Sequence, residues 1–236
     1  MGPGKASRIL DAAEALLRDF GYRKVTVDEV ARRAGIGKGT VYLYWPSKLE
    51  LFGAVLTRQS AELVTKQLAV VRADPAEVRV HRAMRWAFVE IMGRPLARAL
   101  HTGDYAMFGD LLTSDGNAGR FFVGKIETTG RYLAILYEHG LLADDPAADP
   151  LLPYRLSAAV TGSFLLEAAP GSADFALAQK ADALATTLRR AFEPPTEPSP
   201  AALRAAADEL IDLYRHWLAE LTSSLPAEYS HDANLR

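Results

Sequence analysis

The residue types best suited to recognition chemistry lie close together, in the run Gly37-Lys38-Gly39-Thr40 and in the tyrosines Tyr42 and Tyr44. The glycines let backbone N–H groups approach a phosphate, and the lysine supplies positive charge. A tyrosine hydroxyl can bond to a phosphate oxygen while its ring lies against a sugar or a thymine methyl. This set of side chains indicates contact with a nucleic acid.

Two short helices are predicted to hold this stretch in place. Thr26 can accept a bond from the backbone N–H of Glu29 while Glu29 reaches back, a capping box that begins a helix. Gly35 ends that helix, and a second short segment follows at 41–45. Two short helices joined by a glycine-containing turn predict a helix-turn-helix motif, whose second helix enters the major groove of DNA.

The two tyrosines have an alternative place in the core of the protein. They are two residues apart, so on a helix they cannot share one face, and at most one of them is fully buried. Val41 and Trp45 are four residues apart and are the predicted buried pair. We therefore expect Tyr42, and with it Tyr44, to contact DNA.

The run from Thr26 to Lys48 resembles the DNA-binding domain of TetR-family transcriptional regulators. Its sequence is TVDEVARRAGIGKGTVYLYWPSK. The capping box, the turn, the second helix and the Ser-Lys helix start occur at the family's spacing, and the resemblance extends from about Ile9 to Leu56. The family commonly has phenylalanine where Trp45 stands here, which is a conservative aromatic change.

The resemblance implies a ligand-responsive regulator, most often a repressor, that binds a palindromic operator in double-stranded DNA as a homodimer and is released by a small molecule. It assigns DNA contacts to Thr26, Gly37, Lys38, Thr40, Tyr42, Tyr44 and Lys48. Arg8 is a further candidate for a phosphate contact. An activator of the same fold, or an architectural DNA-binding protein without a ligand, is the alternative.

The apolar pattern predicts an all-α fold, because no alternation typical of β-strands occurs. Residues 1–48 are expected to form the helix-turn-helix domain, and residues 49–236 a helical domain for ligand binding and dimerisation. Besides the two short helices, helices are predicted at 6–20, 48–71, 75–93, 95–100, 104–112, 117–139, 151–168, 172–192 and 201–223.

The dimer interface is expected at the helices 151–168 and 172–192, so that the segment 170–192 lies in the interface. The resemblance implies this arrangement, since the family docks its two C-terminal core helices against their mates. Residues 193–200 are rich in proline and are expected to be a stiff linker. The helix 201–223 is an addition that packs on the body of the protein or crosses to the partner.

A ligand pocket is expected among aromatic and aliphatic residues of the middle helices, since small-molecule sites are lined mainly by such side chains. Ordinary packing in the core is the alternative for each of them. The candidates are Trp86, Phe88, Met92, Tyr105, Phe108, Phe122 and Ile126.

Composition excludes several other classes of function. The chain has 236 residues and no cysteine, which rules out disulfides, thiolate zinc sites and cysteine catalysis. The five histidines show no metal spacing, and Arg32 and Gly39 break the phosphate-loop pattern, so no metal, cofactor or enzymatic activity is expected. No apolar run reaches the length of a membrane span, and the protein is expected in the cytoplasm, without a membrane partner. Residues 1–60 carry a net charge of +4 against −2 for the whole chain, as suits a segment that meets a polyanion.

Overall fold

The computed structural model describes residues 4–112, 117–169 and 174–226, without the side chains of 117–127. Within these ranges the chain forms ten α-helices and no strand, so the predicted all-α fold is confirmed. The helices are α1 (Lys5–Phe20), α2 (Val27–Ala34), α3 (Lys38–Tyr44), α4 (Lys48–Ala73), α5 (Val80–Met92), α6 (Pro95–His101), α7 (Asn117–Glu138), α8 (Leu152–Leu166), α9 (Leu177–Phe192) and α10 (Pro200–Ser223).

Several boundaries differ from the sequence prediction, among them the start of α9, which begins at Leu177 and not at 172. The short helix α3 begins at Lys38, three residues before the predicted start, with Gly37 as its N-cap. The segment after Asp74 starts as a 3₁₀ turn, Pro75–Val78, before α5 begins, because the Asp74 carboxylate caps that turn by accepting from the N–H of Ala76. The stretch predicted as a helix at 104–112 consists of two 3₁₀ turns.

The chain divides into two compact units. The first, here called the head unit, comprises Met1–Leu63, Asp104–Gly124 and Trp217–Arg236. The second, the body unit, comprises Val64–Gly103 and Lys125–His216.

The core of the head unit forms where α1, α2 and α3 meet the first half of α4. The apolar side of α1 is buried, whereas Phe20 at the end of the helix is 57% exposed. The guanidinium of Arg58, in α4, is nearly buried and bonds to Asp11 and Glu14 of α1, at 2.6 and 2.5 Å. This ion-pair set joins α4 to α1. Fully buried side chains of this core include Ile9, Leu10, Leu17, Val30, Val41, Leu51 and Phe52.

The body unit is organised around the packing of α5 against α9. Phe88 of α5 is buried, with its ring centroid 5.0 Å from that of Phe164 in α8. The hydroxyl of Tyr132 donates to the carbonyl of Val78 at 2.8 Å. Burial raises the pKa of this tyrosine well above its ordinary value, so the hydroxyl stays protonated and keeps donating.

A buried carboxylate closes the end of α9. Glu193, the first residue of the segment predicted as a linker, has a fully buried side chain. Its Oε2 lies 2.8 Å from a terminal nitrogen of Arg79, and its Oε1 accepts from the backbone N–H of His81 at 2.9 Å and lies 2.7 Å from the His81 Nδ1. Burial alone would raise the pKa of Glu193, but the hydrogen bonds and charges of His81 and Arg79 lower it below the ordinary value of 4.5.

The last helix, α10, packs on its own chain over the part that belongs to the body unit. The side chains of Ala206, Leu210 and Tyr214 are buried there, and the Tyr214 hydroxyl accepts from the Gln67 amide at 3.3 Å. Among the described residues, none of the helices combines the length and the apolar character needed to cross a membrane.

Candidate nucleic-acid interface

The capping box at the start of α2 is formed as predicted. The Thr26 hydroxyl oxygen accepts from the Glu29 N–H at 3.3 Å, and the Glu29 carboxylate accepts from the Thr26 N–H at 2.8 Å. These bonds lower the pKa of Glu29, since they stabilise its charged form. The Thr26 hydroxyl also donates its proton to Glu29 at 2.8 Å, so a phosphate contact from this hydroxyl requires that proton to turn away.

The turn between α2 and α3 depends on one glycine. Gly35 has φ +65° and ψ +40°, the left-handed conformation that favours glycine, and its N–H donates to the carbonyls at the end of α2. The next N–H, of Ile36, returns to the carbonyl of Ala31 at 2.9 Å. The hydrogen bonds of these two N–H groups fix the direction in which α3 leaves the turn.

The inner face of α3 holds the predicted buried pair. Val41 is fully buried and Trp45, which ends the helix, is 4% exposed, so this prediction is confirmed. Tyr44 is half-buried, with its ring centroid 5.5 Å from that of Trp45. Tyr42 is 41% exposed and Leu43 is 85% exposed, and these two side chains lie away from the core.

Lys38 stands at the start of α3 and is bound to α2. Its ammonium donates to the Asp28 carboxylate at 2.7 Å and lies 5.9 Å from the centroid of the Tyr42 ring. The bond to Asp28 raises the pKa of Lys38, so the charge is secure at neutral pH. Because an ammonium has three protons, this contact leaves donors for a phosphate oxygen.

Gly37 and Gly39 are not required by the fold of the head unit. A Cβ added at either position would meet nothing within 4 Å, and neither residue has a positive φ. Gly35 differs, because its left-handed conformation would strain any other residue. The open space at Gly37 and Gly39 suits a surface that another molecule approaches closely.

The start of α4 places Lys48 against the turn after α1. The Ser47 hydroxyl caps the helix by accepting from the Glu50 N–H at 3.1 Å. The Lys48 ammonium donates to the Tyr22 carbonyl at 2.5 Å and lies 4.3 Å from the centroid of the Tyr22 ring, which itself packs edge-on against Phe52. Burial lowers the pKa of Lys48, although the charge of Glu29 opposes the shift.

The same turn receives the segment 104–112 of the head unit. The N–H of Tyr22 donates to the carbonyl of Met107 at 2.8 Å, and Gly21, with φ +75°, lies so close that an added Cβ would be 3.4 Å from that oxygen. Arg23 and Asp110 form an exposed ion pair at 3.6 Å. This segment is therefore anchored on the helix-turn-helix region.

The structure gives the burial of five of the seven predicted pocket residues, and the pocket itself stays a prediction. In the body unit, Phe88 is buried while Trp86 and Met92 are half-buried; in the head unit, Phe108 is buried and Tyr105 is 56% exposed. The side chains of Phe122 and Ile126 lie outside the described residues. A surface cavity of about 340 Å³ in the body unit is lined by Gly130, Leu133, Ala134, Tyr137, Glu138, Asp145, Pro146, Ala147 and Pro153. None of the seven candidates is among them.

The sequence prediction did not include Leu43 among the exposed side chains of α3. The helical period could have found it, because a residue two positions after a buried Val41 turns away from the core. Glu193 was also missed, and no local signal marks it, since Arg79 and His81 lie more than a hundred residues earlier in the chain.

A capped short helix, a left-handed glycine turn and a second short helix with an exposed outer face define a helix-turn-helix protein. The comparisons with known proteins agree. Residues 9–55 match the family model of the bacterial regulatory proteins, tetR family. Residues 9–55 are therefore similar to the DNA-binding region of the TetR family of transcriptional regulators.

The chain is similar to the HTH-type transcriptional regulator YhgD of Bacillus subtilis, with 39% identity over 77 residues that cover 32% of this chain and 40% of that protein. It is 28% identical over 175 residues to the A-factor receptor protein of Streptomyces griseus, covering 70% of this chain and 56% of the receptor. The chain thus spans less than two thirds of the length of these relatives, and the regulators it matches are not enzymes.

A solved structure extends the likeness of the fold beyond the head unit. The transcriptional regulator FadR of Bacillus subtilis, in complex with stearoyl-CoA, superposes with a TM-score of 0.59 at 15% identity. The superposition covers 77% of this chain and 96% of FadR. At this identity, the likeness shows a shared fold.

Proposed function

We propose that the protein is a ligand-responsive repressor that binds a palindromic operator as a homodimer and is released by a small molecule. The observation that carries the DNA-binding part is the outer surface of α3, where Thr40, Tyr42 and Leu43 are accessible beside the charged Lys38. Hydroxyl and ammonium groups bind phosphate, and a helix of this size fits the major groove. Tyr44 and Lys48 are expected to add contacts at the end of α3 and the start of α4.

The dimer is proposed to form through α8 and α9. Large apolar side chains stand exposed along α8 and at its start, among them Leu151, Tyr154, Leu165 and Leu166, at 64, 72, 47 and 62%. Exposed apolar residues grouped on one element are typical of a surface that meets another protein. The exposed side of α9 carries small residues such as Ala183 and Thr186, which permit close approach of a partner helix.

The body is proposed to bind an apolar or amphipathic small molecule. The stearoyl-CoA complex of FadR supports this class of ligand, since the chain shares the fold of that protein and small-molecule sites are lined mainly by apolar side chains. Ligand favours a form of the dimer in which the two α3 helices no longer match half-sites one DNA turn apart, about 34–36 Å. A coupling of about 1–3 kcal/mol changes operator affinity roughly 5- to 150-fold.

The test is fluorescence anisotropy of the purified protein on the DNA upstream of its own coding region, near physiological salt, against a scrambled duplex. Binding at least about 10³-fold tighter than the scrambled control is expected for a specific regulator. Footprinting then yields the operator and its symmetry. Equal binding to both duplexes, followed by failure to enrich any sequence from random DNA, contradicts the proposal.

Two further measurements separate this proposal from its alternatives. A specific ligand raises the melting temperature of the protein by mass action and lowers its operator affinity, whereas an architectural protein responds to no ligand. A reporter gene under the operator should rise in expression when the regulator is deleted. A fall in expression indicates an activator of the same fold.

A further inference from the structure

The buried Val41 fixes which side of α3 faces away from the head unit. Successive residues of an α-helix turn by about 100° around its axis. The direction opposite Val41 therefore falls between Gly39 and Leu43, which stand at the outer pole of the helix. Tyr42 and Thr40 lie on its two flanks.

The exposed fraction is higher for Leu43 at the pole than for the two residues on the flanks. Leu43 is 85% exposed and Gly39 is exposed, whereas Tyr42 is 41% exposed and Thr40 is half-buried. The groups that can form hydrogen bonds thus occupy the flanks. The pole itself presents one isobutyl group beside a position with no side chain.

A helix lying in the major groove directs its flanks toward the phosphate chains and its outer pole toward the base edges. Most groups on those edges are hydrogen-bond donors and acceptors, and a leucine side chain cannot form hydrogen bonds with them. The 5-methyl group of thymine is the apolar exception. Leucine at the pole therefore selects one chemical partner among the bases.

We infer that Leu43 reads the 5-methyl group of a thymine in each half-site of the operator. This inference rests on the proposed function, since it requires α3 to lie in the major groove. Gly39 assists because a Cβ there would meet nothing of the protein itself, which leaves room for the backbone of the first turn to approach the base edges. Tyr42 and Lys38, on the side of the helix, hold the phosphates.

The position of Leu43 distinguishes it from other exposed leucines. Single exposed apolar side chains are common on protein surfaces and carry no message by themselves. Leu151 and Leu166 belong to the apolar group on α8, which is proposed to meet a second copy of the chain. Leu43 has no such group around it, because its neighbours on α3 are a glycine, a threonine and a tyrosine.

The experiment removes only the methyl groups from the DNA. In the footprinted operator, each symmetry-related pair of thymines is replaced by deoxyuridine, which keeps the base pairing, and binding is measured by anisotropy at fixed salt. For the wild type, replacement of one particular pair of thymines should lower the operator affinity about fourfold per half-site, as expected for the loss of one buried methyl group. The Leu43→Ala variant should bind the thymine operator more weakly and bind the two DNAs equally.

A Tyr42→Phe variant is the matched control, because it changes the neighbouring side chain and should keep the preference for thymine over uracil. Leu43 is exposed, so its replacement leaves the core intact, and an unchanged melting temperature verifies this. The role of Leu43 is overturned if the protein binds its operator specifically but no thymine-to-uracil replacement weakens binding. It is also overturned if Leu43→Ala keeps the full preference for thymine over uracil. If the wild type does not prefer the operator to scrambled DNA, the proposed function itself is wrong and this inference falls with it.

Discussion

The ammonium nitrogen of Lys48 lies 2.5 Å from the carbonyl oxygen of Tyr22, and the N–H of Tyr22 donates to the carbonyl of Met107. One residue of the turn after α1 thus holds both the start of α4 and the segment 104–112. The side chain expected to meet a phosphate is already bound within its own head unit. A DNA contact from Lys48 would therefore use the protons that Tyr22 leaves available.

A Lys48→Met substitution keeps the aliphatic stem and removes the charge. It should weaken binding to the operator and to unrelated DNA by similar factors and reduce the steepness of the salt dependence by about 0.9 for each phosphate that the side chain no longer neutralises. It should also lower the free energy of unfolding by about 1 kcal/mol, because the hydrogen bond to the Tyr22 carbonyl is removed. The measurements are anisotropy titrations at several salt concentrations and urea unfolding.

Lys66→Met in the body unit is the control, since Lys66 pairs with Glu90 in an exposed ion pair and should leave the salt dependence unchanged. A Lys48→Met protein that is less stable but has the wild-type salt dependence would give Lys48 a structural role alone.

Substitution of Gly39 by alanine should act in opposite directions on stability and on binding. Alanine has the higher helix propensity and meets nothing at this position, so the free energy of unfolding should rise by about 0.5–1 kcal/mol. Operator affinity should fall, because the new methyl group lies at the outer pole of α3. Thermal melting and anisotropy measure the two effects.

Gly35→Ala provides the contrast. Its φ of +65° makes any side chain unfavourable, and we expect a loss of about 1–2 kcal/mol of stability. If Gly39→Ala binds the operator as tightly as the wild type, the backbone of α3 does not approach the DNA closely.

A Leu166→Glu substitution should break the proposed dimer. The side chain is 62% exposed within the chain, so the fold should tolerate the change, whereas a carboxylate without a partner is costly inside a protein interface. Light scattering should show a shift from dimer to monomer, and operator affinity should fall with it. Leu43→Glu, also at an exposed leucine, should remain dimeric; equal dimer fractions in both variants would exclude α8 from the interface.

The Glu193 carboxylate should make the stability of the protein depend on acid pH. Its pKa is lower in the folded chain than its ordinary value of 4.5, so its contribution is complete above that value and is lost as the pH falls through the folded pKa. Glu193→Gln should remove this part of the acid dependence. At neutral pH it should also lower the free energy of unfolding by about 1–3 kcal/mol, because Arg79 loses a charged hydrogen-bond partner but keeps its ion pair with Glu197.

Chemical denaturation between about pH 3 and pH 7 measures both effects on Glu193→Gln. Glu197→Gln is the comparison, because Arg79 also lowers the pKa of Glu197, but this carboxylate is exposed and should account for a smaller part of the acid dependence. A Glu193→Gln protein that keeps the full acid dependence of the wild type would place the responsible group elsewhere.

The helix-turn-helix region was largely predictable because its signals are local. The Thr26–Glu29 box and the glycine at position 35 define the two helix ends within a few residues, and the spacing of Val41 and Trp45 identifies the inner face. The role of Leu43 required the direction of that face to be known. The tyrosines, in contrast, were predicted to contact DNA from the chemistry of their side chains alone.

The rest depends on contacts between distant parts of the chain. No residue near Met107 indicates that its carbonyl accepts a hydrogen bond from the turn after α1. The proline-rich sequence after Phe192 predicts a linker and gives no sign of the partners of Glu193. The aromatic residues of the middle helices are buried or exposed according to packing that their spacing does not specify. Which of the aromatic candidates line a ligand pocket therefore stays a prediction.

The bond from Arg58 to Asp11 and Glu14 bears on how this DNA-binding module could be transplanted. A chimeric regulator with its junction at residue 48 would deprive α1 of the guanidinium that holds those two carboxylates and of the buried Phe52. A graft that keeps the chain through Leu63 carries both along. Designers who exchange operator specificities between regulators of this fold should therefore place the seam inside α4, beyond Arg58.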